Sequence, residues 1–221
     1  MTTKTIKIDE LNNNFPSDFD RELEQWRQQE IHDIDVIWPE WSEDMAKNLF
    51  IGTGWKFDKI AYSVGHCQGD HVSIEASFHI EQCSEDQLHA LKGDFPILVE
   101  VMEQGWMMVE SVIGGRSQYS RPNWECDLPP YDEDDPNDVI EDGVYKGLHL
   151  SVVDQLIDEE GIEDFVNTLF EIVERVQSTI YKNLSDDILY RYSEEYFIEE
   201  ARDLDFEFEV EVEDEEEQLS A

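Results

Sequence analysis

The chain has 221 residues and carries 15 lysines and arginines against 55 aspartates and glutamates, a formal net charge of −40. Six Trp, eight Tyr and eleven Phe within a 40 % apolar composition exclude wholesale disorder, and the length suits one large domain or two small ones. The carboxylate excess excludes direct binding to nucleic acid or to an anionic membrane, because both need a basic face, and it favours basic partners.

The opening "MTTKTIKIDELNNNF" lacks the apolar run of a signal peptide, and no segment has the length of a transmembrane helix. Three scattered cysteines, Cys67, Cys83 and Cys126, are too few for a disulfide framework. A soluble protein of the cytoplasm is expected. Residues 1–16 read as a loose polar segment. Ser17 then has the character of an N-cap, and Phe19, Leu23 and Trp26 follow at helical spacing to about His32. A second, short helix fits "SEDMAKNLF", capped by Ser42 and closed by Gly52 or Gly54. Two strand-like runs come next, "KFDKIAYSV" and "HVSIEASFHI". In the second, Val72, Ile74, Ala76 and Phe78 alternate with other residues as in a half-buried antiparallel strand.

"SEDQ" at Ser84–Gln87 matches a capping box, and Phe95, Leu98, Val99 and Met102 continue a helical region that Gly105 ends. "WMMVESVI" and "RSQYSRPNWECDL", joined at Gly114 and Gly115, read as a second hairpin. A Pro-rich acidic loop follows, and "VYKGLHLSVVDQLI" is compatible with strand or helix. Ile162, Phe165, Val166, Leu169, Phe170, Val173, Val176 and Ile180 then recur at steps of three and four, a helix of about five turns. Ser185 reads as the cap of a further helix carrying Ile188, Leu189, Tyr192 and Tyr196. The expected fold is a single α+β domain over 17–212, with an antiparallel sheet, helices packed on one face and a long amphipathic helix near the C-terminus. Residues 213–221 read as an acidic tail.

The densest group of chemically versatile residues is "GHCQGDHVSIEASFHI", with His66, Cys67, Asp70, His71 and His79. A metal-dependent or hydrolytic enzyme would use this hairpin. It holds neither a C-x-x-C pair nor an H-E-x-x-H helix, so a hairpin turn built on Gly69 and Asp70 is the better reading. An acidic field raises a thiol's pKa and so disfavours a Cys67 or Cys83 nucleophile. Carboxylate pairs for glycoside hydrolysis are uninformative where acids are everywhere, and "DEDDPNDVIEDG" lacks the spacing of an EF-hand. No catalytic residue, metal or cofactor is assigned.

The stretch "IAYSVGHCQGDHVSIEASF" resembles the "SQGDGASF"-type hairpin of a group of uncharacterised acidic bacteriophage proteins, with Cys67 in place of serine and His71 in place of glycine. The late segment "IYKNLSDDILYRYSEEYFIEEARDLDFEF" is similar to their C-terminal part, which implies a long helix, a tyrosine-bearing acidic helix and a final acidic strand. The resemblance implies a phage origin, an α+β fold and the cytoplasm of an infected host cell as location, and transfers no catalytic residue.

The end, "DLDFEFEVEVE", alternates Leu204, Phe206, Phe208, Val210 and Val212 with Asp203, Asp205, Glu207, Glu209 and Glu211. This is the pattern of a strand with one face on the core and the other made of carboxylates. Side chains two apart on a strand are roughly 6.8 Å apart. That is close to the roughly 6–7 Å between neighbouring phosphates of a nucleic-acid strand. The expected function is therefore mimicry of nucleic-acid charge, by which a phage protein binds and inhibits a basic host nucleic-acid-binding protein, such as a defence nuclease, a polymerase or a nucleoid protein. The partner-binding residues would be Asp205, Glu207, Glu209 and Glu211, the acidic loop residues Asp132, Glu133, Asp134, Asp135 and Asp138, and Glu163, Glu171 and Glu174 of the long helix. An accessory phage protein with a merely solubilising surface is the bland alternative, and a homodimer is left open.

Overall fold

The computed structural model describes residues 2–64, 70–114, 119–126, 144–145, 148–149 and 159–212. Its elements are β1 (Thr2–Ile6), α1 (Ile8–Asn14), α2 (Pro16–Leu49), β2 (Thr53–Ser63), β3 (His71–Cys83), α3 (Glu85–Asp94), α4 (Pro96–Glu103), β4 (Met107–Ile113) and β5 (Ser120–Cys126). The two-residue strands β6 (Val144–Tyr145) and β7 (Leu148–His149), α5 (Glu159–Arg191), α6 (Glu194–Asp203) and β8 (Phe208–Val212) follow. The class is α+β, every strand pair is antiparallel, and the long amphipathic helix α5 lies near the C-terminus. Contacts group the chain into two compact units, Met1–Pro39 with Asn183–Ala221, and Glu40–Lys182.

The Glu40–Lys182 unit is built on a four-stranded sheet in the order β2-β3-β4-β5. The alternation in β3 is realised, since Val72, Ile74, Ala76, Phe78 and Ile80 are all buried. Trp55, Val99, Val109 and the α5 stripe Ile162, Phe165, Val166, Leu169, Val173 and Ile180 are buried in the same unit, with Trp55 edge-on to Phe78 at 5.4 Å and Phe95 against Phe165 at 5.2 Å. Trp55 fixes this packing with a polar bond, its Nε1 donating to the Leu169 carbonyl at 3.0 Å. β3 and β4 pair in register only at Ala76–Ser111 and Ser77–Glu110. Beyond that, the hydroxyls of Ser111 (2.7 Å) and Ser120 (2.9 Å) donate to the Ile74 carbonyl, standing in for ladder bonds. Gly54, at φ +87°, lies so close to β3 that a Cβ there would meet the Phe78 ring at 2.5 Å. Ser84 caps α3 through Gln87 N–H at 3.3 Å, as half of the expected box; its own N–H goes to the Gly52 carbonyl at 2.8 Å.

The unit of the two chain ends has its own core: Ile6, Ile8, Leu11, Phe19, Leu23, Phe197, Ala201, Phe208 and Val210, with Phe15, Trp26 and Phe206 against it. Phe197 touches Phe19, Trp26 and Phe208 at ring separations of 5.7, 5.7 and 6.1 Å.

Four expectations about elements are corrected. The opening segment is not loose: β1 pairs with β8 from Thr2–Val212 to Ile6–Phe208, and α1 buries Ile8 and Leu11. The two helices expected on either side of Pro39 are one helix of 34 residues, in which Ser17 and Ser42 are interior. Burial of Ile34 and Trp38 before the proline, and of Ala46 and Phe50 after it, outweighs the single hydrogen bond a proline removes. Ser185 caps nothing, because Leu184 and Ile188 extend the Ile180 stripe and α5 runs to Arg191. The cap is Ser193, whose hydroxyl accepts from Tyr196 N–H at 3.1 Å and donates to the Tyr190 carbonyl at 2.7 Å. Finally, the C-terminal strand begins at Phe208 rather than Asp203.

Candidate functional site

Residues 203–207 close a helix. The Phe206 N–H reaches the Ala201 carbonyl at 2.9 Å, and the Asp205 N–H reaches that of Arg202 at 3.1 Å. This is a Schellman closure, with Asp205 in the left-handed position at φ 55° where glycine is usual. Leu204, expected on the core face, is 57 % exposed. Asp205 and Glu207 both bridge to Lys7 Nζ, at 3.0 and 3.1 Å, and Lys7 also donates to the Asp205 carbonyl at 3.0 Å. The hydrogen bond to Asp205, with a smaller contribution from Glu207, raises the Lys7 pKa above its ordinary value. The row of free acids expected here is therefore interrupted by a cation from the other end of the chain.

β8 itself has the expected two faces. Phe208 and Val210 are buried, while Glu209 and Glu211 are exposed. The register places Thr5 opposite Glu209 and Thr3 opposite Glu211. Lys4, opposite Val210, belongs to the other face and pairs with Glu10. β1 thus presents only hydroxyls to the two glutamates, which have no cationic partner among the described residues. Beside them opens a polar cleft of about 470 Å³ lined by Thr3, Asp18, Arg21, Glu209, Val210 and Glu211. The cation among its described lining residues, Arg21, is already held by Asp18 (2.6 Å) and Glu22 (3.0 Å). Asp18 and Arg21 sit in the first turns of α2 and gave no sign in the sequence of reaching the last strand.

In the other unit, Glu163, Glu171 and Glu174 are exposed on α5 and likewise have no ion-pair partner among the described residues. At about 100° per residue they fall within roughly a quarter turn of one another. They are brought onto one helix face but belong to a different unit from Glu209 and Glu211. Asp132, Glu133, Asp134, Asp135 and Asp138 lie outside the described residues, as do His66, Cys67 and Glu213–Ala221.

Of the hairpin set, His71 opens β3 and His79 lies eight residues further along it, on the order of 26 Å away at strand rise. His71 stacks on Tyr119 with ring centroids 4.4 Å apart; His79 contacts Glu81 at 3.3 Å and Ser77 at 3.3 Å. No group of three metal-ligating side chains converges among the described residues. No described helix is long and apolar enough to cross a membrane.

A buried charge network in the chain-end unit was not anticipated. Glu30, 4 % exposed, meets Arg191 Nη1 at 3.1 Å. Arg191 Nε donates to Asp187 at 3.0 Å, and Trp38 Nε1 donates to the same carboxylate oxygen at 2.9 Å. Burial works against the Arg191 charge, but the hydrogen bond it donates to Glu30 and the charge of Asp187 outweigh this and raise the pKa. The Asp187–Arg191 spacing was a visible helical pair. Glu30, far away in sequence, was not.

Comparison of the chain with protein-family models, curated proteins and solved structures finds no match in any of the three.

Proposed function

We propose that this chain is an acidic interaction protein, encoded by a phage, that mimics nucleic-acid charge and inhibits a basic host nucleic-acid-binding protein. The observation that carries the reading is the pair Glu209 and Glu211. They are exposed on a paired strand, at roughly the spacing of phosphates, with threonines rather than cations opposite them. A mobile carboxylate tail would have to be ordered on binding, whereas carboxylates on a strand anchored by Phe208 and Val210 are ordered beforehand. The acid face of α5 offers a second fixed set, Glu163, Glu171 and Glu174. Inhibition requires no bond chemistry: the partner's phosphate-binding groove is filled, and encounter is accelerated by the field of a chain with a net charge of −40.

The test is capture from a bacterial lysate at low salt, followed by competition with duplex DNA. The expected result is that captured proteins bind DNA, that duplex DNA displaces them, and that a salt wash elutes them. Capture that duplex DNA leaves untouched would overturn the reading.

A further inference from the structure

The edges of the sheets differ in how they are guarded. β2, one edge of the four-stranded sheet, has two register breaks and exposes Lys56 and Lys59; β5, the other edge, contains Pro122. Bulges, lysines and prolines are the usual means of preventing an edge from pairing with a further strand. In the β1–β8 ribbon each strand has one unpaired side, and β1 carries Lys4. β8 has none of these devices. Its five residues are in unbroken register with β1, contain no proline and no cation, and have no second strand neighbour among the described residues. Its exposed side chains, Glu209 and Glu211, repel one class of partner, a second copy of the same strand, because antiparallel pairing brings two pairs of glutamates together. The continuation of the chain, Glu213 to Glu217, is entirely acidic and is disfavoured in the same way. An incoming strand of opposite charge meets no such obstacle.

We infer that β8 accepts an extended segment of the partner as an added strand, one bearing lysine or arginine at alternate positions, with its basic side chains set beside Glu209 and Glu211, at the rim of the cleft where Arg21 is already held by Asp18 and Glu22. This rests on the reading of the chain as a binder of basic proteins and specifies the part of the partner that is held: an extended basic arm rather than a folded groove alone. Main-chain hydrogen bonds supply affinity in strand addition, and the alternating side chains supply selectivity. Here one side of the added strand faces carboxylates at its own two-residue repeat.

Three synthetic peptides test this on the full chain: one alternating lysine and threonine, one of the same composition with its lysines in a single block, and the alternating peptide with N-methyl groups on every amide, so that neither edge can donate to a strand. The alternating peptide should bind about ten-fold more tightly than either of the others. It should also slow hydrogen exchange at amides of Phe208–Val212, and Glu209→Gln with Glu211→Gln should weaken it by about ten-fold while circular dichroism stays unchanged. Equal binding of all three peptides would mean that charge alone is recognised; the strand-addition proposal would fall and the broader reading would stand. Failure of every peptide, with DNA-binding proteins still captured from lysate, would overturn it in the same way. Failure of both would remove the broader reading as well.

Discussion

Arg191 and Cys83 show how a single side chain's surroundings set what it can do. Arg191 neutralises a glutamate that is almost wholly buried, and its own side chain is 22 % exposed. Removing one partner of such a pair leaves a charge in a medium that cannot solvate it. Arg191→Met should therefore lower the unfolding free energy by about 3 kcal/mol in urea titrations. Glu30→Gln, which leaves an uncharged amide, should cost less, and the reverse order would show that the network contributes little. Burial, with help from the Glu81 carboxylate, pushes the Cys83 thiol up from 9.0 to about 11. The folded chain thus keeps a proton that the unfolded chain releases. The linked stability is fully present below pH 9, declines above it and is lost as pH rises through about 11. At pH 9, iodoacetamide should label Cys83 tens of times more slowly in the folded chain than in urea, following the thiolate fraction. Equal rates, read by mass spectrometry of the peptide, would refute the shift.

At the scale of elements, the closing of α6 carries the clearest consequence. Asp205 occupies a left-handed position that costs a side-chain-bearing residue roughly 1–2 kcal/mol, although aspartate tolerates it better than most. Asp205→Gly should leave stability unchanged or raise it by up to about 1 kcal/mol, because the surface bridge to Lys7 that it forfeits is weak. Asp205→Val should lower stability, since a β-branched residue fits this region poorly. A melting temperature higher for the valine variant than for wild type would contradict the assigned turn. The long helices make a complementary point. Pro39 and Ser185 look like boundaries when read locally, yet both lie inside helices because the residues on either side of them are buried. Helical stability in a packed protein comes chiefly from an apolar face rather than from local propensity.

For the molecule as a whole, charge dominates. Even with each of 15 basic residues paired to a different carboxylate, 40 negative charges remain, and they repel most strongly in the compact state. The described ion pairs already engage most cations of the chain-end unit, from Lys4 and Lys7 to Arg191 and Arg202. Added sodium chloride should therefore raise the melting temperature steadily between low salt and about 0.5 M, where the screening length is only a few ångströms. A melting temperature that falls over this range would mean that attractive pairs outweigh the repulsion. Salt should act oppositely on capture of a basic partner, weakening it while the protein itself becomes more stable.

The α+β class, β3, the β4–β5 hairpin and the α5 stripe could be read from the chain itself. Each is specified by a period of two or of 3.6 within a short window, and the buried set Ile162 to Ile180 follows it residue by residue. Net charge and the acid-bearing character of β8 are likewise properties of composition and alternation. Tertiary structure decided whatever depended on residues distant in sequence. β1 is a strand because β8, at the other end of the chain, pairs with it; Glu30 is buried because Arg191 lies beside it. Lys7 takes Asp205 and Glu207 out of the free acidic row, and Asp18 and Arg21 join Glu209 and Glu211 around one cleft. "DLDFE" has the period of a strand and ends as a helix closure because burial of Phe197 and Ala201 carries α6 forward to Asp203. Local alternation states which faces a segment can offer, and the packing of the remainder of the chain selects which of them is used.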